Sequence, residues 1–376
     1  PTGALAEDDG SENAADAAPA EQNTDEINLY VDPSAESGAA NTYKTIGEVV
    51  AAVQKINRNE KSVTVTIKGG TYDFTDTLSF TAKDSGSDKY PVTYRAAEGD
   101  TVILNVGKKV TGVKVDDKDP ISKRLPASVK NKVYKIDLSD FTEKELGKLP
   151  LSGVPDLGHE DASRFGGFAE LIYDGEAMKK ASYPNIGSKY ISAAAGDNNA
   201  KLFSLDGGND VMAEWSSDGD GIVACIASSG YVWSETAFRG IDSASGMIKT
   251  EGKSSGIHTA GARIRFWNLP ELIDQPGEYC IYTPGKCAYF YPPDESIIHA
   301  LYVTKLQAPV IYTDGAENIV FDGLTVGNSA ESGISMNASK NITVKNCTVK
   351  NVSGTGIRLR QCSDVKIQNC IVRDTG

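Results

Sequence analysis

Three residues spaced 23 positions apart near the end of the chain carry two side-chain amides and one carboxylate. They are Asn328, Asn351 and Asp374, and each follows the last apolar stretch of a repeated segment. Stacked asparagines are ordinarily structural, because each side-chain amide hydrogen-bonds to the next. Asp374 replaces the amide with a carboxylate, which can act as a general acid, a general base or a nucleophile. Asp374 is therefore the candidate catalytic residue, with a turn-forming aspartate as the alternative.

A second group of polar residues lies on the Gly-Ile segments of the same repeats. Alternation along each strand places Thr313, Met336 and Leu359 inward, so the residues on either side of them point outward. An outward row of aromatic, hydroxyl, guanidinium and amide groups can hold the hydroxyls of a sugar. The candidate binding residues are Tyr312, Ser335, Arg358, Arg360 and Asn337. A solvated sheet face is the alternative interpretation.

The elements that must position these residues come from an internal repeat. IVFDGLTVGN from Ile319, ITVKNCTVKN from Ile342 and VKIQNCIVRD from Val365 align without gaps. Three short alternating strands in about two dozen residues predict one coil of a parallel β-helix. The leucines of a leucine-rich repeat are missing. Equivalent positions stack along the helix axis, so Leu324, Cys347 and Cys370 are expected to form an inward row, in coils of right-handed sense.

The rest of the chain divides into four ranges. Residues 1–26 form an acidic spacer almost without large apolar side chains, which predicts disorder. Residues 27–126 contain a cap and the first coils. Residues 127–300 form an inserted, accessory β-rich segment, and 301–376 are the regular coils. The predicted fold is all-β: a pectate-lyase-like parallel β-helix, truncated at its C-terminus.

The cap of the β-helix is a short amphipathic helix. Apolar residues fall at helical spacing from Ile46 to Ile56, behind Asn41 or Thr42 as the predicted N-cap. The following region, 60–106, alternates in a pattern typical of strands with turns every six to ten residues.

Charge and composition exclude several classes of function. The net charge of −13 would repel nucleic acid, and the longest apolar runs are too short to span a membrane. Asp218 and Asp220 are a candidate calcium site, with a solvated turn as the alternative. Cys280 and Cys287 are expected opposite each other in a hairpin, either as a disulfide or as two packed thiols.

The chain resembles the right-handed parallel β-helix carbohydrate-active enzymes of secreted bacterial proteins. The resemblance is carried by YKTIGEVVAAV with VTIKGGTY near the start, and by FAELIYDGEAMKKASYPN and RFWNLPELIDQPGEYCIY in the accessory segment. It implies a retaining glycoside hydrolase without an organic cofactor, at the cell surface or outside a bacterial cell. Within the group, the lacto-N-biosidases, which release lacto-N-biose from milk and mucosal glycans, are the most specific expectation. Their catalytic pair is two aspartates close in sequence, which implies a partner for Asp374 beyond residue 376.

Two further expectations concern partners and alternatives. A β-helix that stopped at Gly376 would expose unpaired backbone groups, so either the chain is a fragment or a second polypeptide continues the coils. The second polypeptide is the favoured expectation. A polysaccharide lyase is a competing hypothesis, although the WiDH and RxPxxR signatures of pectate lyases are absent. A non-catalytic glycan-binding β-helix is the other competing hypothesis, and it would need no carboxylate pair.

Overall fold

The computed structural model describes residues 26–36, 38–147, 169–230, 233–253, 256–294, 301–305 and 308–375. All of the predicted spacer except Glu26 lies outside these residues. Within them, no helix is both long and apolar enough to cross a membrane.

The described chain forms the predicted parallel β-helix, with three parallel sheets of seven, five and four strands in which successive coils stack. The strands of sheet 1 are Glu26–Val31, Thr42–Tyr43, Ser62–Ile67, Val92–Ala96, Glu317–Asp322, Lys340–Lys345 and Lys366–Gln368. Those of sheet 2 are Gly70–Asp73, Val102–Asn105, Leu324–Ser329, Thr348–Val352 and Ile371–Thr375. Those of sheet 3 are Leu78–Thr81, Ile311–Asp314, Ile334–Asn337 and Ile357–Arg360.

The register of the regular coils matches the sequence repeat. Ile319 pairs with Ile342 in sheet 1, and Ile334 pairs with Ile357 in sheet 3. Apolar side chains of the three sheets meet in one core inside the coils. The inward row is confirmed: Leu324 and Cys347 are buried, and Cys370 packs partly buried against the same core.

The last described coil differs from those before it in the exposure of its inward residues. Leu359, Ile367 and Val372 are 44%, 44% and 46% exposed. Their partners one coil earlier, Met336, Val344 and Val349, are fully buried.

The accessory segment is inserted within one coil. The chain leaves the β-helix after Val102–Asn105 and returns at Ile311–Asp314, which pairs with Leu78–Thr81. Its mostly antiparallel sheets take strands from Lys108–Val110 to Leu301–Val303, beyond both ends of the predicted range 127–300. The other strands are Gly112–Lys114, Tyr134–Asp137, Leu171–Tyr173, Glu176–Ala177, Lys179–Lys180, Ser182–Tyr183, Ile191–Asp197, Leu202–Leu205, Ile222–Ile226, Trp233–Ile241, Ile248–Thr250, Arg263–Trp267, Glu278–Tyr282 and Cys287–Phe290.

The helices are short. The cap helix is Ile46–Val53, and the prediction of Asn41 or Thr42 as its N-cap was wrong. Thr45 is the cap, because its hydroxyl accepts from the Glu48 N–H at 3.2 Å while the Glu48 carboxylate accepts from the Thr45 N–H at 3.1 Å. The other helices in the described ranges are Glu143–Leu146 and the 3₁₀ turns Ala82–Asp84, Pro120–Lys123, Asp210–Glu214, Pro270–Leu272 and Thr283–Gly285.

The expected alignment of Cys280 with Cys287 was also wrong. The hairpin pairs Tyr282 with Cys287, which places Cys280 opposite Tyr289. The reason is the length of the turn, which takes Thr283–Gly285 as a 3₁₀ turn and Lys286 in the left-handed conformation. Both cysteines are buried free thiols.

Candidate functional site

The predicted binding row assembles on the outer face of sheet 3. Tyr312 pairs with Ser335, which pairs with Arg358. In the neighbouring row, Asn337 pairs with Arg360 and donates to Asp314 Oδ1 at 2.8 Å. The five candidate residues therefore lie on one surface, and their role in sugar binding stays a prediction.

Within this row, Tyr312 is partly buried and lies near the charges of Asp314, Arg358 and Arg360. Partial burial and the nearby charge of Asp314 raise the pKa of its phenol, while Arg360 and Arg358 act in the opposite direction. The phenol therefore stays protonated at physiological pH and can donate a hydrogen bond to a ligand oxygen.

A cleft of about 280 Å³ lies on a different face, where the outer surface of sheet 2 meets the accessory segment. The turn between Leu171–Tyr173 and Glu176–Ala177 forms one wall, and strand Leu301–Val303 contributes a tyrosine. The lining residues are Thr71, Ile103, Asn105, Asp174, Gly175, Tyr302, Thr325, Gly327, Asn328, Lys350 and Asn351. None of the five predicted binding residues is among them.

A ladder of side-chain amides runs along the bottom of this cleft. Asn105 Nδ2 donates to Asp73 Oδ1 at 2.5 Å, and Asn328 Nδ2 donates to Asn105 Oδ1 at 2.7 Å. Asn351 Nδ2 donates both to Asn328 Oδ1 and to the Gly175 carbonyl, each at 3.0 Å. These two acceptors fix the orientation of the Asn351 amide.

Asp374 occupies the next step of the ladder and interrupts it. Its neighbours Arg373 and Thr375 pair with Lys350 and Val352, so Asp374 lies across from Asn351. A carboxylate has no N–H to donate, and Asn351 Oδ1 is buried without a hydrogen-bond partner among the described residues. The Asp374 carboxylate instead contacts the guanidinium of Arg373. Leaving a buried acceptor unpaired costs about 1–3 kcal/mol, so a carboxylate at this position is less favourable for local stability than an amide would be.

A cluster of charges lies at the rim of the cleft next to Asp374. Lys350 and Arg373 are directly paired on neighbouring strands, and Glu176 of the accessory segment bridges them. Its carboxylate lies 3.0 Å from Lys350 Nζ, and 2.5 and 2.8 Å from Arg373 Nη1 and Nη2. The hydrogen bonds from Arg373, assisted by Lys350, lower the pKa of Glu176 to about 2. Glu176 is therefore a permanent anion at physiological pH.

The three members of this cluster were not among the residues predicted from the sequence. Lys350 and Arg373 directly precede Asn351 and Asp374 in the aligned repeats. The 23-residue period therefore predicts that Lys350 and Arg373 stack on neighbouring coils. Two stacked cations require a counter-charge, and that signal predicts a carboxylate nearby. Nothing local in the sequence identifies Glu176 as its source, because it belongs to the inserted segment.

The two aspartates considered for calcium point to separate partners. Asp218 Oδ1 lies 2.9 Å from Arg124 Nη1, and Asp220 accepts from the Thr283 hydroxyl at 2.7 Å. Over the described ranges, no group of three or more histidine, cysteine, aspartate or glutamate side chains is placed to hold a metal ion.

Comparison with known proteins supports the architecture. A family model described as "Right handed beta helix region" matches residues 286–376. A solved structure described as a glycoside hydrolase has a TM-score of 0.58 at 13% identity, and the match covers 88% of this chain and 67% of that one. No curated protein matches the sequence. The fold is therefore a right-handed parallel β-helix.

Two further solved structures match with TM-scores below 0.5. A complex of XylC with xylose has a TM-score of 0.42 at 10% identity, over 93% of this chain and 54% of that one. A tailspike of Acinetobacter baumannii bacteriophage AP22, in complex with a capsular saccharide, has a TM-score of 0.17 at 9% identity, over 88% and 44%.

Proposed function

We propose that this chain forms part of the active site of a retaining glycoside hydrolase that acts on oligosaccharides. The observation that carries the proposal is Asp374, a carboxylate that replaces an amide in a structural ladder at the edge of a cleft. Residues that break a local structural rule without a structural gain are concentrated at functional sites. The glycoside hydrolase among the structural matches is consistent with this chemistry, although that likeness establishes only the fold.

Asp374 would serve as one of the two carboxylates that glycosidic bond cleavage requires. In a retaining enzyme the two groups lie about 5–5.5 Å apart, one as acid and base and the other as nucleophile. Arg373, in contact with Asp374, holds the carboxylate in place. The row on sheet 3, with Tyr312 as a donor, would bind sugar residues on the adjoining face.

We place the second carboxylate on additional β-helix coils, contributed by a second polypeptide. This placement follows from the short distance required between the two carboxylates, which a neighbouring coil would satisfy.

The most specific form of the proposal is a lacto-N-biosidase, secreted or displayed at a bacterial cell surface. It is supported by the fold and the general layout of the chain, since the motifs of the cap and the accessory segment do not indicate a substrate. The substrate would then be a milk or host glycan that ends in lacto-N-biose.

The test is the hydrolysis of an aryl lacto-N-bioside and of a wider glycan panel by Asp374→Asn. The full-length protein is used together with any polypeptide that co-purifies with it. Loss of a catalytic acid or base lowers the rate about 10²–10⁴-fold. Asp322→Asn is the matched control, because Asp322 lies on sheet 1 and pairs with Lys345 at 3.2 Å. An unchanged rate in Asp374→Asn would remove Asp374 from the mechanism, and glycan binding without turnover would favour the non-catalytic hypothesis.

A further inference from the structure

We propose that Glu176 is a specificity-determining residue that keeps acidic sugars out of the cleft. It occupies the anion site formed by Lys350 and Arg373, in the position that the carboxylate of a uronic acid would otherwise take. The inference rests on the proposed function in one respect: it assumes that the cleft on sheet 2 receives a sugar.

The anion site follows from the stacking of the coils. Lys350 and Arg373 are paired across neighbouring parallel strands, whose backbones lie about 4.8 Å apart. Two cations at that spacing repel each other and attract a carboxylate, and arginine binds a carboxylate through two nitrogens at once. Glu176 makes this arrangement with both nitrogens of Arg373 and with Lys350.

The hairpin formed by Leu171–Tyr173 and Glu176–Ala177 does not need the Glu176 side chain to attach to the coils. The Gly175 carbonyl already accepts from Lys350 Nζ at 2.6 Å and from Asn351 Nδ2 at 3.0 Å. The hairpin strand Leu171–Tyr173 also pairs with Leu301–Val303. The Glu176 side chain is 57% exposed, so its carboxylate contacts the two cations at the surface of the protein.

The remaining polar groups of the cleft suit a neutral sugar. Lys350 is neutralised by Glu176, and Arg373 is neutralised by Glu176 and Asp374 together. Asp174 adds a further negative charge to the lining, and Asn351 Oδ1 accepts no hydrogen bond from the residues that the structure describes. Sugar hydroxyls can donate to such groups, whereas a sugar carboxylate would meet the charges of Glu176, Asp174 and Asp374 while Lys350 and Arg373 are already paired.

Glucose and glucuronate form a suitable pair of probes, because they differ only in the hydroxymethyl or carboxylate group at C6. Their binding to the full-length protein is measured by NMR titration at matched ionic strength. The variants are Glu176→Ala and Glu176→Gln. Glu176→Ala empties the anion site, whereas Glu176→Gln removes the negative charge of the side chain but leaves the site occupied. Glu251→Ala is the control, since Glu251 pairs with Arg239 at 2.9 Å elsewhere on the accessory segment.

We expect the wild type and Glu251→Ala to bind glucose in preference to glucuronate. In Glu176→Ala, the ratio of glucuronate to glucose affinity should rise about ten-fold to a hundred-fold, the effect of gaining a hydrogen-bonded ion pair. Glu176→Gln should show a smaller rise. Chemical-shift changes should appear at Lys350 and Arg373 on addition of glucuronate to Glu176→Ala.

An unchanged ratio in a Glu176→Ala protein that still binds glucose would overturn this inference and leave the proposed function intact. Wild-type preference for glucuronate would overturn it as well, and would favour the polysaccharide lyase hypothesis. Absence of binding of either sugar to every variant would overturn the cleft as a sugar site, and this inference with it. Loss of activity in Asp374→Asn is a separate result that tests only the proposed function.

Discussion

At the scale of single residues, the distinction between an amide and a carboxylate decides how Asp374 is interpreted. Asn328 and Asn351 each donate a hydrogen bond to the asparagine of the preceding coil, and both adopt the left-handed backbone conformation. Asp374 shares that conformation, with φ at 51°, which asparagine and aspartate tolerate well. The backbone therefore accepts either residue, and only the side-chain hydrogen bond distinguishes them.

Asp374→Asn should therefore stabilise the protein while it lowers activity. The new Nδ2 can donate to Asn351 Oδ1, and the lost contact with Arg373 is a partly exposed ion pair of small value. We expect a net gain of about 1 kcal/mol in the free energy of unfolding, measured by urea denaturation. Asp322→Asn should give no gain, and a destabilised Asp374→Asn would contradict the ladder interpretation.

Glu278 should make stability depend on pH. It is 2% exposed, and burial raises the pKa of its carboxyl to about 7, although it accepts from the backbone of Asp274 and Gln275. The folded state holds this proton more tightly than the unfolded state does. The resulting stabilisation is complete below the unfolded pKa, about 4.3, and is lost as pH rises through 7.

The measurement is thermal unfolding of the wild type and Glu278→Gln between pH 5 and 8. The wild type should lose up to about 3 kcal/mol relative to the variant over this range. Parallel pH dependences of the two proteins would show that Glu278 does not titrate in this way.

At the scale of elements, glycine sets how closely successive coils can approach. A Cβ on Gly333 would lie 2.2 Å from Val349 Cγ1 and 2.8 Å from the Gly356 carbonyl oxygen. Gly47, in the cap helix, has no neighbour within 4 Å of its Cβ position. The same substitution should therefore have opposite effects at the two sites.

Gly333→Ala should destabilise the protein by about 1–3 kcal/mol, because the strands of sheet 3 must shift. Gly47→Ala should stabilise it by up to about 0.5 kcal/mol, since Gly47 lies in the first turn of the helix and the full propensity difference applies to helix interiors. Chemical denaturation of both variants measures the difference, and equal effects would contradict the packing described for the coils.

The elements also show what the sequence alone could predict. The 23-residue period was sufficient to predict the strands of the coils and their register. In these stacked coils, each residue pairs with the residue 23 positions later. The position of Cys280 in its hairpin was not predictable in this way, since it depends on the length of a turn that has no copy elsewhere. Glu176 reaches Lys350 and Arg373 from the inserted segment, and no periodicity relates it to them.

At the scale of the whole molecule, the β-helix and the accessory segment have separate hydrophobic cores. Residues of the coils form one cluster, and the buried residues of the accessory segment form two others. The accessory segment contains all three tryptophans of the chain, Trp215, Trp233 and Trp267. Tryptophan fluorescence therefore reports on the accessory segment, whereas far-UV circular dichroism reports on both parts.

Unfolding in urea should give transitions that do not coincide when followed by these two probes. Separate cores favour separate cooperative units, and a single two-state transition requires all probes to agree. Superimposable curves would show that the contacts between the two parts couple them into one unit.

The placement of the accessory segment within a coil also determines how the protein can be made. Strand Leu78–Thr81 finds its partner, Ile311–Asp314, only after the ribosome has produced the whole inserted segment. Until then, the first coils present unpaired strand edges, and distant pairings of this kind form slowly. The accessory segment is complete before the coils can continue, so it is expected to fold first during synthesis. The nascent chain, rather than the finished molecule, is therefore the species most exposed to aggregation.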